Sequence, residues 1–439
     1  MLFLSIDIGT SSTKISVVNE ELETIQWSKA SYPYIILDGN KNEIKPDDLF
    51  NGIYEAANKI DPELREKVSL VCYDTFSPSP VLIKEDGNLS YPNIITHMDR
   101  RSRAQTDYIV NEFGKDKFLD ITGIYPFPGG AGVMTLLWFK QTQPQYLEDT
   151  YRIGHLPTFI HHTLTGEWMV DLVNASMLGL YETTKQGTWS KTLLDAFDFN
   201  PEWFSEIKNP GQVFGTLLPE QAEKLGLPSG IPVAVGTNDM AAAQVGAGNT
   251  ESGCIMNTAG SSDMVSIITD KPVTNPHYYL RNAAIPGLWQ IYATTAGGFG
   301  IDWFFEQFCA EMSEKEFYRE YIPEALNEWK EDGMVTFAPY LTGDRQSLEQ
   351  KTGAWNGLTL GATKKEMLAA MLKSMNRVLN DTINEAKKVV DLKPVIQLTG
   401  GLSRQEYVEL KEREIPGFKF EVVDDLPIKG NVALVKRYL

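Results

Sequence analysis

One local pattern occurs twice in this chain and limits its fold more than any other feature. Leu2-Phe3-Leu4-Ser5-Ile6-Asp7-Ile8 is followed by Gly9-Thr10-Ser11-Ser12 and then by Lys14-Ile15-Ser16-Val17-Val18. A β-rich apolar run, a glycine-plus-hydroxyl turn and a second β-rich run predict a hairpin. Near the middle, Cys254-Ile255-Met256-Asn257-Thr258-Ala259, Gly260-Ser261-Ser262 and Met264-Val265-Ser266-Ile267-Ile268 repeat the arrangement, so a duplicated architecture is expected. Helical periodicity covers 49–60, 104–113, 135–141, 189–197 and, at greatest length, 364–390, where the methionines read as core filler. Strands are expected at 68–73, 80–84, 231–235, 334–337 and 395–398. Alternating element types predict an α/β protein with mixed sheets. The Pro- and Gly-rich stretches 228–232 and 236–248 are the candidate boundaries.

Composition narrows the function. At 439 residues and 42% hydrophobic the chain can build two or three cores. Forty Lys+Arg against 58 Asp+Glu give a net charge of −18, which repels nucleic acid and anionic membrane. Cys72, Cys254 and Cys309 are too scattered for a disulfide framework or a zinc site, which suggests a reducing compartment. The opening residues lack a basic leader region, and no apolar run approaches about 18 residues, so a cytoplasmic protein is expected.

Four glycine-containing turns follow β-like runs, at 9–12, 260–262, 297–300 and 400–403. Glycine lets backbone N–H groups approach an anion, and neighbouring hydroxyls donate without adding charge, so together the turns suggest a phosphate cradle. Neither a Walker A loop nor a dinucleotide fingerprint is present. Asp7, at a strand end before the first turn, suits Mg²⁺ as a hard oxygen ligand or serves as a turn cap. Lys14 either neutralises phosphate or sits on a solvated face. Asp239, in Gly236-Thr237-Asn238-Asp239-Met240-Ala241-Ala242-Ala243, is either a helix N-cap or a general base.

Seven short motifs, taken in order, resemble the FGGY family of carbohydrate kinases. They are Asp7-Ile8-Gly9-Thr10, Leu164-Thr165-Gly166-Glu167, Asn174-Ala175-Ser176, Gly236-Thr237-Asn238-Asp239, Pro339-Tyr340-Leu341-Thr342-Gly343-Asp344-Arg345, Gly353-Ala354-Trp355-Asn356-Gly357-Leu358 and Thr399-Gly400-Gly401-Leu402-Ser403-Arg404. The resemblance implies two ribonuclease H-like domains of the actin and hexokinase ATPase type with a central cleft. Residues 1–236 would bind the sugar and 237–439 the nucleotide. It implies ATP and Mg²⁺, with Asp239 as catalytic base in contact with substrate and Asp7 at the metal. Gly9, Thr10, Ser11 and Lys14 would form the first phosphate loop, and Gly260 and Ser261 the second. Gly298 and Asp302 would lie beside the nucleotide, and Gly400, Gly401 and Gln405 near the adenosine.

On the acceptor side the chain departs from the family. In Ile94-Ile95-Thr96-His97-Met98-Asp99-Arg100-Arg101, His97 stands where the family has tryptophan, while Asp99 and Arg101 keep the polar frame. Arg101 either reads a sugar hydroxyl or carboxylate or pairs structurally with Asp99, and His97 is either a ligand contact or a core histidine. Ser77, in Asp74-Thr75-Phe76-Ser77-Pro78-Ser79-Pro80, offers a hydroxyl where relatives place long polar side chains, and the compact loop 125–132 falls beside the same pocket. Asp424–Asn431 replace a small-residue helix start expected near the adenine. The expected reaction is ATP-dependent phosphorylation of a small sugar, sugar acid or polyol. The partner is then a small carbohydrate, with no nucleic acid or membrane and a homodimer left open. A catalytically silent binding protein on the same scaffold is the alternative, and an actin-like motor or assembly ATPase is a third reading.

Overall fold

Both hairpins form, and each begins a sheet. The computed structural model describes residues 1–37, 41–127, 129–260, 262–328, 333–341 and 351–439. Strand β1 (Leu2–Ile8) turns back antiparallel into β2 (Ser12–Val18), with the Gly9 N–H donating to the Ser12 carbonyl at 3.0 Å. β3 (Thr24–Ser31) extends the meander, β4 (Val68–Thr75) pairs parallel with β1, and β5 (Pro232–Ala234) pairs parallel with β4. The short β6 (Thr237–Asn238) also runs parallel to β4, opposite Asp74 and Thr75. β4 is buried along almost its whole length, as expected of a parallel strand covered on both faces.

The second half repeats this wiring. Helix α1 (Leu172–Leu178) and helix α2 (Asp239–Gly246) precede it. β7 (Ile255–Ala259) turns antiparallel into β8 (Ser262–Thr269), and the Gly260 N–H donates to the Ser262 carbonyl at 3.0 Å. Beyond β9 (Tyr279–Asn282), β10 (Trp289–Ala296) lies against β8. Helices α3 (Gly298–Phe308) and α4 (Lys364–Ala386) follow. β11 (Val395–Thr399) then pairs parallel with β7, and, after α5 (Gln405–Glu414), β12 (Lys419–Val422) pairs parallel with β11. The orders β3-β2-β1-β4-β5 and β10-β8-β7-β11-β12 are the same path through two antiparallel and two parallel steps. α4 begins with a Thr363/Glu366 capping box and buries Met371 and Met375 among Leu368, Leu372, Leu379 and Ile383, in the core-filling role expected of them.

The Gly-rich stretch 236–248 differs from an exposed linker. It forms β6 and α2, and α2 is crossed by the last helix, α6 (Leu426–Val435). A Cβ at Gly246 would lie 2.0 Å from the Leu426 carbonyl oxygen, and one at Gly430 would lie 1.8 Å from that of Ala242. The small residues there serve backbone-to-backbone helix contact. α6 also reaches the first sheet: Ser5 Oγ donates to the Ile428 carbonyl at 3.0 Å, and Asn431 Nδ2 to Asp74 Oδ2 at 2.6 Å. The segment expected on the adenine side therefore packs against β1, β4 and α2. Among the described residues, no helix is long and apolar enough to cross a membrane.

Candidate active site

Three carboxylates meet at the carboxyl ends of β1, β4 and β6. Asp7 lies opposite Asp74 across the parallel pair, and Thr237, two residues before Asp239, lies opposite Asp74 on its other side. The crevice beyond the carboxyl ends of such strands is where open α/β sheets hold ligands. Burial raises the pKa of Asp74 well above the carboxylate range, and the charges of Asp7 and Asp239 push it further. Asp7 is also raised by burial, against the opposing pull of a hydrogen bond with Asp74 and the charge of Lys14. At these two neighbouring carboxyls burial favours the neutral form. Asp239 is pushed up to about 7, first by burial and then by the charge of Asp7. Its Oδ1 accepts from the Met240 N–H at 2.7 Å and from Asn238 Nδ2 at 2.8 Å. Its Oδ2 accepts no hydrogen bond from a described residue. Asn238 is the residue that caps α2, accepting from the Ala241 N–H, which leaves Asp239 in the first turn with an oxygen to spare.

Across the cleft, three of the four glycine turns converge. Gly298 donates its N–H to the Gly260 carbonyl at 2.7 Å, and the Leu402 N–H donates to the Ala259 carbonyl at 2.8 Å. A Cβ at Gly297 would lie 2.7 Å from the Gly260 oxygen. Gly400 adopts φ +103°, and a Cβ there would lie 2.6 Å from the Ala259 oxygen. Such a nest of closely approached backbone suits a polyphosphate. Gly401 borders open space. Asp302, on α3, accepts from the Tyr318 hydroxyl, and Arg404, next to Gln405, donates to the Tyr318 carbonyl at 3.1 Å, so Asp302 and Gln405 share one exposed rim. Met240 ties the two sides together through its sulfur, which accepts from Thr258 Oγ1 at 3.4 Å. Ser261 and the 342–345 part of the Pro339–Arg345 motif lie outside the described residues.

On the first hairpin, Gly9, Thr10 and Ser11 form the predicted turn beside Asp7. The Lys14 ammonium is bonded to the Asp425 carboxylate, which stands immediately before α6. On the acceptor side, Ser77 Oγ donates to Asn174 Oδ1 at 2.7 Å, Asn174 Nδ2 donates to Asp171 Oδ2 at 2.8 Å, and Thr237 Oγ1 donates to Asp171 Oδ1 at 3.0 Å. This series of hydrogen bonds fastens the 75–79 loop and α1 to β6, the strand that leads into Asp239. Burial lifts Asp171 to about 6 despite those donors.

Asp99 and Arg101 depart from the expected ligand role. Their side chains are only 4% and 3% exposed. Arg101 grips Asp99 at 2.9 and 2.7 Å and Glu43 at 2.5 Å, and its guanidinium lies 4.9 Å from the Trp138 ring. The structural pairing describes them, because every strong acceptor in reach is already engaged. They shape the 96–101 turn that holds His97, which is half-buried with its ring 6.2 Å from Phe76.

Residues 2–246 match the model of the FGGY family of carbohydrate kinases, N-terminal domain. The chain belongs to the FGGY family of carbohydrate kinases. It is 26% identical over 434 residues to a gluconokinase of Bacillus subtilis (strain 168), a match covering 96% of this chain and 83% of the relative. Crystal structures of a ligand-bound xylulose kinase and of a gluconate kinase from Lactobacillus acidophilus share the fold, each with a TM-score of 0.89, at 21% and 22% identity, over 100% of this chain and 89% of theirs. The duplicated sheet is thus the two-domain α/β sugar-kinase architecture, and the activity is that of a carbohydrate kinase.

Several residues of this FGGY kinase site escape a reading of the sequence. Asp74 stood in a presumed sugar loop, yet it ends β4 opposite Asp7; its position at the close of an apolar strand was the available signal. Asn431 and Asp425 come from the segment expected near the adenine, and nothing local showed that they would meet Asp74 and Lys14.

Proposed function

We propose that this FGGY kinase transfers the γ-phosphoryl group of ATP to a hydroxyl of a small sugar, sugar acid or polyol, with Asp239 as general base. The observation that carries this reading is Asp239 itself. One carboxylate oxygen is pinned by Met240 and Asn238, the other accepts from no described residue, and the pKa is pushed up to about 7. A base tuned near the working pH can align an attacking hydroxyl and take its proton as the bond to phosphorus forms. The nest of Gly260, Gly297 and Gly400 supports the nucleotide phosphates being held opposite, with Asp302, Gly401 and Gln405 toward the adenosine. Phosphoryl transfer asks little covalent work of the protein, so positioning and water exclusion by the two halves, 1–236 and 237–439, would supply most of the rate.

The carboxylates at Asp7 and Asp74 fit a divalent cation: they are crowded, supply only oxygen donors, and are buried where their charge is disfavoured until a cation offsets it. Mg²⁺ takes one or two carboxylates and completes its shell with phosphate and water, which the Asp7 site could supply. Asp7 would hold it, and when bound it would neutralise charge on the phosphate oxygens. Retention of both Asp7 and Asp239 speaks against a catalytically silent binding protein.

The test is ATP consumption with Mg²⁺ across gluconate, xylulose, fuculose, glycerol and related polyols. Turnover that depends on one acceptor class is expected. Acceptor-independent hydrolysis, or none with any acceptor, would refute the reading.

A further inference from the structure

Arg281 is a buried cation for which the described residues supply no bonded anion. It lies on β9, the strand outside β10 in the second sheet, and is 6% exposed. Its guanidinium is flanked by aromatic rings, 4.2 Å from the Tyr292 centroid and 5.8 Å from that of Tyr279. The buried Nε has no hydrogen-bond partner, and no ion pair within 4 Å joins Arg281 to a described residue. The carboxylate whose charge it feels is Asp239, whose bonded oxygen is taken by Met240 and Asn238. A desolvated guanidinium without a hydrogen-bonded anion is costly, and ring faces return only part of that cost.

The surroundings place this cation at the acceptor pocket. β9 docks on the first half: the Leu280 N–H donates to the Gly123 carbonyl at 2.8 Å, and the Asn282 N–H donates to Ser176 Oγ at 3.1 Å. Ser176 is on α1, two residues from Asn174, which holds Ser77. Tyr279 stacks on Phe127 at 5.3 Å, within the compact loop beside the pocket. Arg281 therefore comes from the second half to the side of Asp239 where the acceptor network of the first half ends. Arg101, the arginine that sequence reading offered for a carboxylate, is already saturated by Asp99 and Glu43.

We propose that Arg281 receives the carboxylate of the phosphoryl acceptor, so that this kinase acts on a sugar acid of the aldonate class in preference to a ketose or a neutral polyol. The planar fork of a guanidinium matches a carboxylate, and a desolvated site that expects this partner rejects an analogue without it. The proposal rests on the kinase reading for its chemistry, but not for its binding.

Five- and six-carbon aldonates and the alditol of each, which differ only by carboxylate against hydroxymethyl, form the probe panel. Nucleotide-free binding by calorimetry and thermal shift, and steady-state kinetics with ATP, are the readouts. At least one aldonate is expected to bind about 100-fold more tightly than its alditol. Arg281→Gln should erase that gap while leaving alditol binding within about threefold, and Arg281→Lys should keep about a tenth of the aldonate affinity. The melting temperature of each free variant reports folding; if Arg281→Gln does not fold, Arg281→Lys carries the test. An alditol or ketose bound as tightly as every aldonate would overturn the proposal. A fall in kcat that is equal for all acceptors in Arg281→Gln would overturn it too, since the arginine would then serve the transferred phosphoryl group or Asp239. If no acceptor is phosphorylated but the aldonate gap persists and depends on Arg281, the kinase reading fails and this one stands.

Discussion

The first hairpin and the second share their wiring and differ in their charge. In each, a glycine N–H closes the turn, and the strand residue two positions earlier faces a partner across a parallel pair. In the first hairpin those facing residues are Asp7 and Asp74; in the second they are Thr258 and Thr399. The antiparallel partner differs in the same way, Lys14 opposite Asp7 and Met264 opposite Thr258. One fold unit, used twice, thus presents a crowded acidic end and a neutral hydroxyl end to the same cleft. Polyphosphate is repelled by carboxylates and accepted by backbone N–H and hydroxyl donors, whereas a metal ion and an attacking hydroxyl need the carboxylates. The difference divides the labour between the halves.

The largest effect that tests this division is at Asp239. Asp239→Asn should lower kcat by at least about 100-fold with little change in the KM for ATP, read by coupled ADP release. A full rate in that variant would leave the acidic end without a chemical role. Next comes the matched pair Asp7→Asn and Thr258→Val. Loss of the carboxylate should cut turnover roughly tenfold or more at limiting Mg²⁺, with partial recovery as Mg²⁺ is raised, because a hard cation loses its charged ligand. Loss of the hydroxyl should raise the KM for ATP only about two- to fivefold, one neutral hydrogen bond's worth. Equal penalties in the two variants would break the comparison.

The glycine nests give a smaller contrast. Gly400→Ala puts a side chain at φ +103° against a backbone oxygen at 2.6 Å, whereas the Cβ of Gly9→Ala would sit 3.0 Å from the Ser12 oxygen without a positive φ. We expect about 1–3 kcal/mol of lost stability and a raised KM for ATP in the first, and less than about 1 kcal/mol in the second, by denaturant titration. A reversed order would mean that the second nest is no tighter than the first.

What the sequence made legible was local. Both hairpins, the long helix α4 and the strands at 68–75 and 395–399 declare themselves by periodicity and turn chemistry within a few residues. The four glycine turns also declare themselves, but only folding shows that three of them close on one another. Groups that meet across the chain left no comparable trace. Asn431 bonds Asp74 from 357 positions away, and Lys14 reaches Asp425 from 411. Arg281 looks like any strand arginine until β9 is set against α1. Asp99 and Arg101 mislead in the opposite sense: a polar frame beside a pocket reads as a ligand set, and only Glu43, from a separate strand, reveals it as a closed ion-pair cluster.

The smallest effect concerns stability, and it too separates the halves. Asp239 has a folded pKa of about 7 against an ordinary 3.8, so the folded state holds its proton more tightly than the unfolded chain does. The native state is therefore favoured at low pH and loses that advantage as pH rises through about 7. Activity runs the other way, since the base must be free: kcat/KM should climb through pH 7 and level off above it. Asp239→Asn abolishes the titration. Relative to the wild type, its melting temperature should be about 2–4 °C higher at pH 8, with the gap narrowing as pH falls below 7 and closing only near pH 4, where the carboxyl is neutral in the unfolded chain as well. Thr258→Val, at the hydroxyl pair of the second hairpin, should show no such pH-dependent gap. A stabilisation in Asp239→Asn that is the same at both pH values would come from packing or hydrogen bonding, and the acid at the cleft would then not be under the electrostatic load that the crowded carboxylates impose.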